Sequence, residues 1–382
     1  MTSKERVLKT IAHQEPDRVP VGEWGIDHDH VSRVIGRHTY YRNRKDETIA
    51  LWEGRREEVV ESYKADYSEL VEKLDYDIVT VDLVPPKGYV HPDPPRKVGE
   101  GVWEDSRGRV YKYAASNDSI ICINNQSQGK EALTEDEIKR RLENLEQLDD
   151  SIFELVDYFG DKYGKERAVM FRGLEIYDTL MDIFGGNQEH QLILPLIAPD
   201  EIKKMYEYAL AYNKKLIEHC ARHNVLICAQ GKDFGMNNST IMSPAVIRDI
   251  YLPVIKQVNA TTVESGMIPF FHCCGNIWTI LDDFVAAGYK GYQSIQESAG
   301  MDTRLVKETY GDVLTLWTGV QCETLVQGTL EDVEAEVRRN LEFLMPGGGF
   351  IFGSTNSVQY GAKTENYLKA LDVVRKYGVY KG

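Results

Sequence analysis

Short apolar runs rich in β-branched and aromatic residues recur along the chain at 19–24, 78–82, 168–172, 225–230, 268–272, 291–295, 314–317 and 349–353. Between them, apolar residues fall at three- and four-residue spacing, at about 50–74, in two or three segments within 175–222, and at 244–264, 276–287, 302–310, 330–344 and 364–377. The short runs read as strands and the longer stretches as amphipathic helices, and their alternation is the pattern of βα units on a parallel sheet. Eight such units, with no GxGxxG loop to cradle a dinucleotide, favour closure into a (β/α)8 TIM barrel over an open doubly wound sheet. Ser243 and Pro244 mark one helix start clearly, the serine as cap and the proline in the first turn, where its missing N–H costs nothing.

The rhythm breaks over about 84–150. A proline-rich start, PPKGYVHPDPP, leads into VWEDSRGRVYKY, which reads as a hairpin, and then into a charged helix. The expectation is one barrel domain over residues 1–382 with an insertion after the second strand, placed to act as a lid. The 382 residues suit a decorated barrel, since these run from ~200 to more than 400.

Composition narrows the partners. Sixty acidic residues against 45 basic give a formal charge of −15, which repels phosphate backbones and disfavours nucleic acid. Charges interrupt every apolar stretch before the ~18 residues of a membrane span, and MTSKERVLKTIAHQEPDRVP lacks the apolar core of a signal peptide. A cytoplasmic location without membrane association is expected. The six cysteines are too sparse for a disulfide scaffold, so metal-bound, reactive or buried thiols are the alternatives.

Barrel active sites lie at the C-terminal ends of the strands. There the sequence places Glu23, Asp27, Asp82, Arg172, Glu175, Gln230, Asp233, His272, Cys274, Gln293, Gln296, Gln321, Cys322, Ser354 and Asn356. In FFHCCGN, residues two apart in extended chain point the same way, so His272 and Cys274 converge while Cys273 turns away. An imidazole and a thiolate at this spacing suit zinc. A third ligand must come from another strand; Cys322 is the best thiol, with Glu175 and Glu323 as weaker options. The competing reading makes His272 a hydrogen-bonded mouth residue and both cysteines packing. His219 and His223, four apart near a helix C-terminus, form a candidate metal pair; they read more simply as cationic side chains favoured at that position, on the face opposite the strand ends. The pair His28 and His30 after the first run is a further candidate that an exposed loop explains about as well, whereas the GGG turn at 347–349 leads into a strand and is no phosphate cradle.

Several segments together resemble the uroporphyrinogen decarboxylase superfamily, including its corrinoid-dependent methyltransferase branch. They are RVLKTIAHQEPDRVPV, KDFGMNNSTIMSPAVIRDIYLPVIK, IPFFHCCGNIWTILDDFVAAGYKGYQSIQ, LTLWTGVQCETLVQGTLEDV and GGGFIFGSTNSV, and the resemblance spans nearly the whole chain. It implies a (β/α)8 barrel. The decarboxylases carry an arginine pair in an RQAGRY-like segment, where this chain reads VGEWGIDHDH; tetrapyrrole decarboxylation is therefore disfavoured, although Asp82 falls near that branch's catalytic aspartate. The methyltransferase branch is similar in its His-x-Cys, matched by His272 and Cys274, but its further cysteine after the last strand is replaced in GSTNS, which offers Ser354. Cys322 or an acidic residue then completes the zinc site, or the metal is weak or absent.

The resemblance implies a methyltransferase that moves a methyl group between a small substrate and the cobamide of a separate corrinoid protein, with zinc as Lewis acid and a methoxylated aromatic as the preferred donor. Asp82, Asp233 and Gln230 would orient substrate or handle a proton, and Trp24, Arg172, Tyr177, Gln293, Trp317 and Asn356 would line the substrate pocket, with Trp278 and Tyr292 as further aromatic candidates. A homodimer is left open. Two rivals remain: a metal-independent lyase using Asp82 and Arg172, and a non-catalytic cobamide-binding accessory protein.

Overall fold

The structure, a computed structural model, describes residues 1–124, 132–184 and 188–381. Strand β1 (Ile78–Val81) is followed by an antiparallel meander of β2 (Arg96–Gly99), β3 (Val102–Glu104), β4 (Val110–Ala114) and β5 (Ser119–Cys122). Parallel strands then resume with β6 (Ala168–Leu174), β7 (Val225–Gly231), β8 (Ile268–His272), β9 (Gly291–Gln293), β10 (Thr315–Val320) and β11 (Phe350–Ser354). Strands β1 and β6 to β11 pair in that order into one curled seven-stranded sheet with helices outside it, a TIM-barrel-like α/β fold.

The first expected run does not form a regular strand, yet it fills the gap between β11 and β1. Phe352 N–H donates to Pro20 O at 2.9 Å, Gly22 N–H to Phe352 O at 3.1 Å, and Asp77 N–H to Val21 O at 2.7 Å. Pro20 has no N–H to give the ladder, and the Val21 N–H is taken by the Asp77 carboxylate at 2.8 Å, so the pairing is reduced to isolated bridges.

Inside the sheet, Ile78, Ala168, Met170, Ala229, Phe270, Trp317 and Ile351 form a buried cluster, and Val7 of the helix Ser3–Ile11 packs into it. Trp317 is 0% exposed and its indole N–H donates to Gly22 O at 3.1 Å, which corrects its placement as a pocket residue: it is core. Two more expectations change because their side chains face the outer helices. Gln230 Nε2 donates to Asn259 Oδ1 at 3.3 Å on the helix Leu252–Glu264, and Tyr177 stacks on Tyr251 at 5.2 Å. Tyr292 likewise stacks on Phe271 and is buried.

The hairpin over VWEDSRGRVYKY belongs to the four-stranded meander, and the charged helix follows at Glu135–Asn144. Residues 125–131 of the insertion, and 185–187 of the helical region after β6, lie outside the described residues. The turn between β4 and β5 touches the segment after Trp24: Arg44 donates to Asn117 O at 3.0 Å, and His28 Nε2 lies 3.0 Å from Asp118. No helix among the described residues is long and apolar enough to cross a membrane.

Candidate metal centre at the barrel mouth

His272 ends β8 and Cys274 follows it into the mouth, with Cys274 Sγ 3.4 Å from His272 Nε2. Cys273 turns away, its buried sulfur accepting the Phe234 N–H at 3.1 Å; burial pushes this thiol up to about 12. The third group is Asp233. Its Oδ1 lies 3.6 Å from His272 Nε2 and accepts the Cys274 N–H at 2.7 Å. Candidate ligand atoms of Asp233, His272 and Cys274 all fall within 4.8 Å of one another.

Asp233 reaches this position because the loop after β7 lies directly on the loop after β8. Met236 and Asn276 form a backbone bridge, and Gly235 packs so closely on Cys274 and Gly275 that a Cβ there would sit 2.3 Å from Cys274 O. Only glycine allows that approach.

Gln293 sets the tautomer of His272. Its Nε2 donates to Ser354 O at 3.0 Å and Asn356 O at 3.1 Å, which leaves Oε1 to face His272 Nδ1, a contact the structure makes tightly. An acceptor at Nδ1 keeps the proton there, so the Nε2 lone pair is directed at the Cys274 and Asp233 side. Burial holds the imidazole below its usual pKa, which favours the neutral, ligating form. Trp24 stacks on the ring at 4.7 Å, and the Arg172 guanidinium lies 5.5 Å from the Trp24 ring. Gln293 is thus a support for His272, 1% exposed, instead of the substrate contact expected from sequence.

Cys274 sulfur receives two donors, Asn356 Nδ2 at 2.8 Å and Ser294 Oγ at 3.4 Å. Burial, followed by the Asp233 charge, pushes the thiol pKa well up, so ionisation calls for a nearby cation. Sequence reasoning missed Ser294. Its φ of 84° interrupts the alternation of the run at 291–295, so Gln293 and the next residue both serve the site. A non-glycine residue in that region carries strain of ~1–3 kcal/mol and is held by its surroundings.

The expected third ligand, Cys322, is not in this set. Its sulfur lies 3.6 Å from both Ser357 O and Thr355 Oγ1, and burial pushes it up to about 12. Ser354 is committed elsewhere, donating from N at 3.0 Å and Oγ at 2.6 Å to the buried Glu23. Asp82 and Arg172 reach the mouth but pair with each other, and Arg172 also binds Trp24 O. A cavity of about 240 Å³ opens beside Cys274, walled by Ser294, Gln296, Cys322, Glu323 and Asn356.

Donor types and spacing fit zinc. Around a tetrahedral ion, N···S and N···O separations are ~3.6 and ~3.3 Å; the observed 3.4 and 3.6 Å differ from these by a few tenths. A Gln293→Leu variant is expected to lose ~10–100-fold in zinc affinity, by freeing the His272 tautomer, when measured by competition with a chromophoric chelator.

Burial raises the Glu23 carboxyl to about 8, against contrary hydrogen bonds from Ser354 and Tyr367. The folded state therefore keeps a proton that the unfolded chain releases near 4.5. The unfolded state binds fewer protons between these values, so stability falls as pH rises through that window. Glu23→Gln should remove this slope, so that urea unfolding at pH 5 and at pH 8 shows less loss of stability in the variant than in wild type.

A methyltransferase from Methanosarcina mazei matches with a TM-score of 0.66 at 17% identity over 98% of each chain. D-psicose 3-epimerase with D-tagatose from Clostridium cellulolyticum H10 matches with a TM-score of 0.41 at 10% identity, over 83% of this chain and 94% of that one. No curated protein matches the sequence. The family model described as Uroporphyrinogen decarboxylase (URO-D) matches residues 185–377, half of the chain, a span that includes β7 to β11 and the whole His272, Cys274 and Asp233 set. The chain belongs to the uroporphyrinogen decarboxylase family.

Proposed function

We propose that the protein is a methyltransferase that moves a methyl group between a small substrate and the cobalt of a corrinoid carried by a partner protein, with zinc held by His272, Cys274 and Asp233. The observation that carries this reading is the convergence of those three side chains beside a cavity at the strand ends. Bound zinc would act as a Lewis acid on the heteroatom that bears or receives the methyl group.

The protein's own groups prepare that step. Gln293 holds the His272 proton on Nδ1, and Asn356 and Ser294 donate to the Cys274 sulfur, supporting the thiolate that a bound cation would produce. Trp24 covers one face of the imidazole and limits water there. Of the five aromatic residues expected in the pocket, Trp24 is the one against His272; Trp317, Tyr177 and Tyr292 pack elsewhere, and Trp278 donates to Gly300 O. An aromatic ether donor therefore rests on Trp24 alone, and methylated amines and thioethers stand beside it as donors to test.

The lyase alternative needs Arg172 free for a carboxylate and Asp82 free for the reacting centre, and their mutual ion pair opposes both. The test is methyl transfer to free cob(I)alamin by zinc-loaded protein, followed by the absorbance of methylcobalamin. Transfer from one donor class, abolished by chelation and restored by zinc, supports the reading. A zinc-loaded protein inert toward aryl methyl ethers, methylamines and thioethers refutes it.

A further inference from the structure

We infer that the protein carries a second divalent transition-metal site, formed by Asp157, His219 and His223 at the end of the barrel opposite the mouth. His219 lies on the helix Tyr206–Arg222 and His223 caps it, just before β7 begins at Val225. Strand starts define the face away from the active site, where side chains serve stability. This site is therefore separate from the one at His272.

The third ligand comes from a different helix, Glu154–Tyr163. One turn after Asp157, Gly160 meets the chain at His223 so closely that a Cβ would lie 1.9 Å from His223 O. That packing fixes Asp157 against both histidines: its Oδ1 lies 2.7 Å from His219 Nε2 and 3.2 Å from His223 Nδ1. The imidazoles are stacked, with centroids 4.5 Å apart and planes 5° from parallel, and Phe153 stacks on His219 at 3.7 Å. Parallel rings carry their in-plane lone pairs in parallel planes, so a shared ion requires one imidazole to turn about its Cβ–Cγ bond.

Zinc at ~2.0–2.1 Å from each donor puts tetrahedral N···O separations near 3.3 Å. His223 already meets that distance, and His219 needs an opening of about half an ångström. Two further observations favour an ion over a plain hydrogen-bonded cluster. A carboxylate oxygen and two imidazole nitrogens from two helices converge on one point, with candidate ligand atoms within 4.8 Å of one another. Asp157 and His223 are 39% and 28% exposed at their side chains, which leaves an open position for water and a path for the ion. Two nitrogens and one oxygen suit Zn²⁺, Co²⁺ or Ni²⁺ and not the harder Mg²⁺ or Ca²⁺. The ion would clip the helix Glu154–Tyr163 to the helix Tyr206–Arg222.

The experiment separates the two sites. The full-length His272→Ala/Cys274→Ala protein is titrated with Co²⁺ and Zn²⁺ at micromolar concentrations, and metal is counted after gel filtration. One equivalent is expected to remain, with visible Co²⁺ absorption, and zinc should raise the melting temperature by several degrees. Adding His223→Asn or Asp157→Asn, both partly exposed positions that tolerate substitution, should abolish the bound equivalent and the thermal shift. Retention of no metal by the folded double variant overturns the inference. So does a bound equivalent that survives both further substitutions.

Discussion

Replacing Cys274 with alanine is expected to remove zinc from the purified protein and to lower methyl transfer more than ~100-fold, beyond the ~10–100-fold that loss of an outer partner costs. His272→Ala should match it, since each supplies a donor that no neighbouring side chain can replace at the same point. Cys274 already sits where Asn356 and Ser294 feed hydrogen bonds to its sulfur, and His272 is 7% exposed beneath Trp24. Asp233 distinguishes this ligand set from the alternative with Cys322. Asp233→Asn keeps an acceptor for the Cys274 N–H but removes the anionic ligand, so zinc affinity should fall while the fold is retained. Cys322→Ala should leave zinc content unchanged, because its sulfur is bound up with Ser357 and Thr355. Metal analysis of the four variants decides the matter: zinc lost from Cys322→Ala and kept in Asp233→Asn would mean that the ligand set is wrong.

How much of this could be read from the sequence depends on whether local rules govern the residue. The strand runs are legible because each is a compact apolar segment bounded by turn residues, and all but the first became regular strands. The first failed for a local reason, Pro20, and a distant one, Asp77 taking the Val21 N–H. His272 and Cys274 are legible because a period of two is local. Asp233 was visible as a loop residue, but its place at the metal site follows from one loop stacking on another through Gly235 and Gly275, which no spacing encodes. Ser294 was hidden by a positive φ that breaks the alternation. Gln230, Tyr177 and Trp317 illustrate the opposite error. Gln230 and Tyr177 lie near strand ends, whereas Trp317 ended its expected run but sits inside the observed strand Thr315–Val320; nearness to the mouth along the chain does not say whether a side chain points inward, outward or down into the core. The register shifts between β6 and β7 make that parity harder still to follow.

Closure of the sheet gives the largest expected effect on stability. Asp77 has a side chain 0% exposed and accepts from Arg6 Nη1 at 2.6 Å, Arg18 Nη1 at 2.6 Å and the Val21 N–H at 2.8 Å, while its own N–H bonds Val21 O. It therefore joins β1 to the irregular eighth segment and to the helix that plugs the barrel. Asp77→Ala leaves Arg6, 8% exposed at its side chain, with Asp17 alone, and leaves the Val21 N–H without its acceptor. Removing one partner from a buried ion pair costs ~3–5 kcal/mol, chiefly because the other charge stays desolvated. Asp77→Asn keeps an acceptor for Val21 and should cost less, and Arg18→Ala least, since Arg18 is 24% exposed and can rehydrate. Urea unfolding followed by circular dichroism should reproduce that order. A cost below ~1 kcal/mol for Asp77→Ala would assign closure to the backbone bonds of Pro20, Val21 and Gly22, with the carboxylate a replaceable neighbour.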